Sequence, residues 1–260
     1  MTPDTLAAYP TDAEALRTHL DALLADAEAD PDLTDGTLIG LVVPDSNAAS
    51  NGPAAAAAFH QLQGTGIDRV VLISPSHHGA FGRLSIPPES TFPTPLGEVP
   101  VSDHLRNELC DEDDDIYIDE DGHDTVGGAD VQVPFLQCAL GDFEVVPIVM
   151  GDENPAFCRE LGNAVGEVMY GQQALVVGSC ELLGGDADAL DRLREAVEGF
   201  NESELMYLMG SETVRVHGMG ALVSTLLAAR QRGANRARVL ALDPPSGDAP
   251  GALACAFWRA

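Results

Sequence analysis

Two adjacent histidines, His77 and His78, follow an apolar run near the middle of the first half of the sequence. They stand in SPSHHGAFG, residues 74–82, directly after DRVVLI, residues 68–73. Imidazole binds transition metals and also acts as a general acid or base near neutral pH. An imidazole at the start of a loop can instead only orient the backbone by hydrogen bonding. The pair therefore leaves three interpretations open: metal ligand, catalytic base or polar loop residue.

Other chemically competent side chains stand in the same relation to predicted strands. Asp45 follows the apolar run 37–43, GSCE at 178–181 follows ALVV, and His217 follows TVRV, where it is predicted to begin a helix. In open α/β sheets ligands bind at the carboxyl ends of the strands. Two histidines and one carboxylate are the protein ligands of non-haem Fe(II) sites, although the spacing alone does not demand such a site.

The elements that must position these residues alternate between strands and helices. The predicted strands cover residues 37–43, 69–74, 143–151, 174–179, 238–243 and 252–258. The predicted helices cover residues 11–29 (with Thr11 as N-cap), 53–62, 129–140, 156–170, 186–200 and 217–233. Such alternation predicts an α/β fold with a central, mainly parallel sheet. Because no repeat or Gly/Ser-rich linker divides the chain, we expect a single domain over residues 1–260, with a helical N-terminal extension at 1–36.

The charge of the chain is strongly negative. It contains 42 acidic and 13 basic residues among 260, for a formal net charge of −29, and all the basic residues are arginine. Such a surface repels phosphate backbones, which argues against a nucleic-acid partner. High salt screens the self-repulsion that this charge creates. The composition is typical of a protein from the salty cytoplasm of a halophilic archaeon.

Several other functions are disfavoured by the sequence. No apolar run is long enough to span a bilayer, and the first residues lack the pattern of a signal peptide, so we expect a soluble, cytoplasmic protein with no membrane partner. The five cysteines form no CxxC pair, which indicates free thiols. The segment 111–124 contains nine acidic residues. Its spacing does not match an EF-hand, and we predict a solvated acidic surface loop or hairpin, with a weak cation site as the alternative.

The order of the segments resembles a known family. VVPDSNAASNGPAAAAAF, VLISPSHHGAFG, TPLGEVPV, DVQVPFLQ, VVPIVMG and VHGMGALVSTLL are similar to segments of the Memo family, which includes the AmmeMemoRadiSam system protein B. The resemblance runs from about Leu38 to the C-terminus. It implies a three-layer α/β fold related to class III extradiol dioxygenases of the LigB type.

The resemblance also implies a ligand set for one divalent metal ion. Family members bind metal through a histidine after the first strand, the first histidine of SHH and a cysteine before glycine. The matching positions here are Asp45, His77 and His217. Two of the three ligand types differ, yet all three remain competent ligands. The set lacks a thiolate, so it should favour Fe(II), Mn(II) or Zn(II) over Cu(I).

Other departures from the family pattern weaken the case for dioxygenase chemistry. GGAD at 127–130 replaces HSxE, and GSCELLG at 178–184 replaces SSD-xx-H, so that Cys180 and Leu183 stand at acid–base positions. An extradiol cleavage needs a base for the substrate hydroxyl. His78 or His123 would have to supply that group, and these are the predicted catalytic residues.

Three functions follow from these features. The first is a metal-binding Memo-like protein with Asp45, His77 and His217 as ligands, which as an enzyme would be a dioxygenase-like oxidoreductase acting on an unidentified small molecule. The second is a non-catalytic scaffold on the same fold with a decayed site, which binds a protein partner. The third is a hydrolase that uses Ser74, Ser76 or Ser179, although the sequence has no GxSxG motif.

Overall fold

A nine-stranded sheet with helices on both faces forms the centre of the molecule. The structure is a computed structural model and describes residues 10–33, 36–46, 51–77, 79–112, 115–123, 128–211, 213–247 and 249–260. The strands are β1 (Thr37–Pro44), β2 (Arg69–Pro75), β3 (Leu84–Ile86), β4 (Thr91–Phe92), β5 (Val99–Pro100), β6 (Ile116–Ile118), β7 (Glu144–Met150), β8 (Ala174–Gly185), β9 (Val214–His217), β10 (Arg236–Asp243) and β11 (Ala252–Arg259). The helices are α1 (Ala13–Asp26), α2 (Gly52–Phe59), α3 (Asp103–Glu112), α4 (Gly128–Leu140), α5 (Pro155–Val168), α6 (Ala187–Glu198), α7 (Glu202–Ser211) and α8 (Met219–Gln231). Short 3-10 helices cover Pro31–Leu33 and His60–Leu62.

The central part of the sheet is parallel, as the alternation of elements predicts. The strand order is β10-β11-β1-β8-β2-β7-β3-β6, and β9 pairs with β8. The neighbours β1, β8, β2 and β7 are parallel, whereas β11, β10, β9 and the β3–β7 pair are antiparallel. Because parallel strands end at one edge, the carboxyl ends of β1, β2, β7 and β8 converge there.

Side chains alternate between two apolar clusters on opposite faces of the sheet, as strand geometry requires. In β2, Val71 and Ile73 join one cluster, and Val70 and Leu72 join the other. Helices α3, α5, α6, α7 and α8 cover the first face, and α1, α2 and α4 cover the second. This confirms the predicted three-layer α/β architecture. No helix in the described part of the chain is long and apolar enough to cross a membrane.

Three local predictions differ from the structure. The N-cap of α1 is Asp12 rather than Thr11, because the Asp12 Oδ1 accepts the N–H of Ala15 at 2.9 Å. His217 ends β9 instead of beginning a helix, since the β-branched VRV run pairs with β8.

The third difference concerns the acidic segment 111–124, which contains more regular structure than a loop. Helix α3 continues into it as far as Glu112, and β6 pairs in parallel with β3. Residues 113–114 and 124 lie outside the described part of the chain.

Candidate metal centre

Asp45 and His77 are held side by side at the carboxyl edge of the sheet. Asp45 is the first residue after β1, and its N–H extends the parallel ladder by bonding the Cys180 carbonyl at 2.8 Å. His77 comes two residues after β2, where the N–H of Ser76 bonds the Met150 carbonyl at 3.0 Å. The strand-end rule therefore predicted the location of both side chains correctly.

His217 reaches the same place from a different direction. It lies at the end of β9, opposite Glu181 of β8 in antiparallel register. The next residue, Gly218, has φ 86° and turns the chain into α8. A Cβ at Gly218 would lie 2.5 Å from the Ser179 carbonyl oxygen, so only glycine allows this close approach.

These three side chains form one compact group. One carboxylate oxygen of Asp45 and one ring nitrogen from each of His77 and His217 all lie within 4.8 Å of one another. The two imidazole rings have centroids 5.1 Å apart and meet at 61°. Donor atoms that share one ion at bonds of about 2.0–2.2 Å are separated by roughly 3–4 Å. The three residues therefore could hold one metal ion after small side-chain movements.

Two buried ligand atoms of this group face each other. Nε2 of His77 lies 2.8 Å from Oδ2 of Asp45, and the two side chains are 12% and 1% exposed. The contact is an ion pair when His77 is protonated, and neither atom has another partner among the described residues. A metal ion bonded to both atoms would replace this direct contact.

The remaining oxygen of Asp45 is firmly held. Ser179 Oγ donates to Oδ1 of Asp45 at 2.6 Å. Gly128, at the start of α4, packs so closely that a Cβ there would lie 2.5 Å from the same oxygen. This arrangement fixes the carboxylate with Oδ2 turned toward the histidines, as expected for a metal ligand oriented by its surroundings.

Charges around the group change the protonation of His77. Burial lowers the pKa of His77, but the carboxylate of Asp45 and the charge of Glu181 outweigh that effect, so the pKa is raised above its ordinary value. A metal ion binds the neutral ring and must displace this proton.

Glu153 is a site residue that sequence reasoning missed. It follows β7, and its carboxylate accepts the N–H of Gly218 at 3.2 Å and of Gly220 at 2.6 Å. Burial raises the pKa of Glu153, while these two N–H groups and His217 act in the opposite direction. Glu153 thereby fixes the turn that carries His217. The strand-end rule, applied to β7, would have pointed to it.

Of the two predicted catalytic histidines, the structure describes only His123, which is not part of this group. His78 lies outside the described residues. His123 forms a hydrogen bond through Nε2 with the Ser85 carbonyl at 3.0 Å. Their catalytic roles remain predictions.

The three serines proposed as nucleophiles donate their hydroxyls to oxygens of the chain. Ser179 Oγ donates to Asp45, Ser74 Oγ to the Ile148 carbonyl at 3.5 Å and Ser76 Oγ to the Gly79 carbonyl at 2.9 Å. The hydroxyls of Ser74 and Ser179 do not bond a described histidine, so neither has the adjacent base that a serine hydrolase needs.

Comparison with known proteins identifies the family. A family model described as Memo-like protein matches residues 6–252. The chain is 27% identical over 220 residues to a MEMO1 family protein of Methanothermobacter thermautotrophicus, covering 82% of this chain and 79% of the relative. It is 30% identical over 227 residues to a MEMO1 family protein of Ignicoccus hospitalis, covering 82% and 78%.

A solved structure supports the fold alone. An uncharacterized protein of Escherichia coli K12 superposes with a TM-score of 0.53 at 12% identity, covering 84% of this chain and 99% of that one. The family model matches most of the chain, and the MEMO1 family relatives agree with it. This chain therefore belongs to the Memo family.

Proposed function

We propose that this protein is a metalloprotein that binds one divalent ion through Asp45, His77 and His217. The convergence of one ligand atom from each residue within 4.8 Å, with Asp45 Oδ2 and His77 Nε2 buried only 2.8 Å apart, gives the strongest support. Two imidazoles and a carboxylate favour Fe(II), Mn(II) or Zn(II). The thiol of Cys180, which lies between Ser179 and Glu181 in β8, belongs to an apolar cluster. Burial raises its pKa well above the ordinary value, which disfavours the thiolate that a soft metal requires.

The site is suited to a metal-dependent oxidoreductase that acts on a small molecule in the cytoplasm. A bound ion of this type would supply Lewis acidity and, for Fe(II), redox chemistry. The protein itself orients the ligand set: Ser179 holds Asp45, and Glu153 holds the turn after His217. His78 and His123 remain the candidates for proton transfer.

A non-catalytic scaffold is the second candidate. The Cys180 side chain is fully buried, and Leu183 is 44% exposed. Neither can transfer a proton at the positions where relatives have acid–base residues. This function would leave a protein surface, rather than a small molecule, as the partner.

Metal analysis separates the two candidates. The protein is purified anaerobically in concentrated KCl without a histidine tag, beside a His77→Ala/His217→Ala variant. His104→Ala is the matched control, because this side chain is 71% exposed. We expect near-stoichiometric iron, manganese or zinc in the wild type and His104→Ala, and none in the double variant. Metal-free wild type that takes up no Fe(II), Mn(II) or Zn(II) would exclude the metalloprotein and favour the scaffold.

A further inference from the structure

Glu181 faces the candidate metal centre from β8. Side chains alternate along a strand, so Glu181 and Ser179 lie on the same face of β8. Ser179 is bonded to Asp45 on that face. Glu181 is also directly opposite His217 in the antiparallel β8–β9 pair. Residues paired in this way have Cβ atoms about 4.5–5.5 Å apart, so Glu181 borders the ligand group.

The Glu181 side chain is largely buried, but its carboxylate is available to a ligand. The residue is 6% exposed, and its carboxylate forms no hydrogen bond or ion pair with any described residue. The Glu181 oxygens are not among the fully buried atoms that lack a partner, so they reach solvent at the site. The other two carboxylates here are engaged, since Asp45 accepts a hydrogen bond from Ser179 and Glu153 accepts two from backbone N–H groups.

Glu181 is not a member of the metal-ligand group itself. The group whose donor atoms lie within 4.8 Å of one another contains Asp45, His77 and His217 only. Its negative charge nevertheless reaches the group, because it helps to raise the pKa of His77. The carboxylate is therefore adjacent to whatever binds there and free to interact with it.

We infer that Glu181 is a specificity-determining residue that accepts a hydrogen bond from an N–H or O–H group of a small molecule bound at the metal centre. This inference rests on the proposed function. The carboxylates of Asp45, Glu181 and Glu153 together offset the charge of a divalent ion at this site. A neutral ligand that carries a donor beside its coordinating atom suits this site, whereas an anionic ligand is repelled by Glu181.

Two imidazoles test this preference on the cobalt(II)-loaded protein. Imidazole can coordinate through one nitrogen and donate its N–H to Glu181, whereas N-methylimidazole has no N–H. Affinities are measured by titration of the visible cobalt spectrum for the wild type, Glu181→Met and the exposed control Glu195→Met. The quantity compared is the affinity for imidazole divided by that for N-methylimidazole. We expect this ratio to fall about tenfold in Glu181→Met, because one charge-assisted hydrogen bond is lost, and to stay unchanged in Glu195→Met.

Azide provides the opposite readout, because it is an anionic ligand. Azide should bind more tightly to Glu181→Met than to the wild type. Equal imidazole ratios, or equal azide affinities, in cobalt-loaded wild type and Glu181→Met would overturn the inference while leaving the metal site intact. Failure of the wild type to bind cobalt would overturn the proposed function and this inference with it.

Discussion

Two buried charged clusters lie at opposite edges of the same sheet, and they differ in how their polar atoms are satisfied. At the amino edge, the Arg232 residue is 4% exposed. Its guanidinium donates to four backbone carbonyls, those of Ile39, Met169, Gln172 and Ala174. Burial lowers its pKa to about 10, which still leaves it charged at neutral pH. This cluster is complete without any ligand.

At the carboxyl edge, the Asp45–His77–His217 group is incomplete. Asp45 Oδ2 and His77 Nε2 have only each other as partners, 2.8 Å apart, and the nearby Glu181 carboxylate forms no hydrogen bond or ion pair with a described residue. The comparison shows that burial of charge alone does not identify a functional site. A satisfied buried charge holds the fold together, whereas unsatisfied groups that converge indicate a place for a ligand.

The largest effect on stability should come from the satisfied cluster. Arg232→Met removes four hydrogen bonds from the guanidinium to backbone carbonyls, three of them buried, so we expect the free energy of unfolding to fall by about 3 kcal/mol or more. Urea unfolding in concentrated KCl measures this change. Arg236→Met, at an exposed position, is the control and should change it by less than about 0.5 kcal/mol. A similar small loss for Arg232→Met would show that the buried guanidinium is not structural.

The incomplete cluster should instead gain stability from metal. An ion at 100 times its dissociation constant is expected to stabilise the wild type by about 2.7 kcal/mol. The His77→Ala/His217→Ala variant should show no such gain. Thermal unfolding with and without added Zn(II) or Mn(II) measures the difference. Equal stabilisation of both proteins would place the ion elsewhere, for example on the acidic segment 111–124.

The two clusters should also respond differently to pH. Because Asp45 and Glu181 raise the pKa of His77 against the effect of burial, the folded metal-free protein binds this proton more tightly than the unfolded chain. That contribution to stability is complete below the unfolded pKa of about 6.5 and disappears as pH rises through the raised folded pKa. Metal affinity should increase over the same range, since the ion replaces the proton.

Urea unfolding of the metal-free protein over this pH range, with Asp45→Asn for comparison, measures the effect. The asparagine retains an acceptor for Ser179 but removes the charge beside His77. Its stability should depend less on pH. An identical pH dependence in both proteins would show that Asp45 does not control the protonation of His77.

The smallest effect is expected for Cys180→Ala. This thiol lies in the apolar cluster on one face of the sheet. Ser179, the preceding residue of β8, points to the opposite face, where it bonds Asp45. Metal content should therefore be unchanged, with at most a modest loss of stability from the smaller side chain. Loss of metal in this variant would mean that a thiolate takes part in binding.

The sequence predicted the parallel core of the fold and named all three candidate ligands, but it placed only two of them on the right elements. The apolar runs of β1, β2, β7 and β8 are long enough to be identified without tertiary information, and Asp45 and His77 follow from where β1 and β2 end. Strands β3, β4, β5 and β6 and helices α3 and α7 were not predicted. These strands are only two or three residues long, so periodicity gives little signal.

The strand-end pattern named His217 and Glu181 but not how they meet. His217 was assigned to a helix, and its place in the group came from family resemblance, because β9 is a four-residue strand that, among the described residues, pairs with β8. Glu181 was expected after a strand ending at residue 179, whereas β8 continues to Gly185 and pairs Glu181 with His217. The contact of Glu153 with the start of α8 joins residues 67 positions apart. No local pattern encodes such long-range pairing.

Anomalous diffraction from crystals of the metal-loaded protein tests the central claim most directly. Data collected on both sides of the absorption edge of the bound metal locate the ion independently of any assumed ligands. The account predicts one peak within bonding distance of Asp45, His77 and His217. No peak at these residues in protein shown to contain stoichiometric metal, or a peak on the acidic segment 111–124 instead, would contradict it.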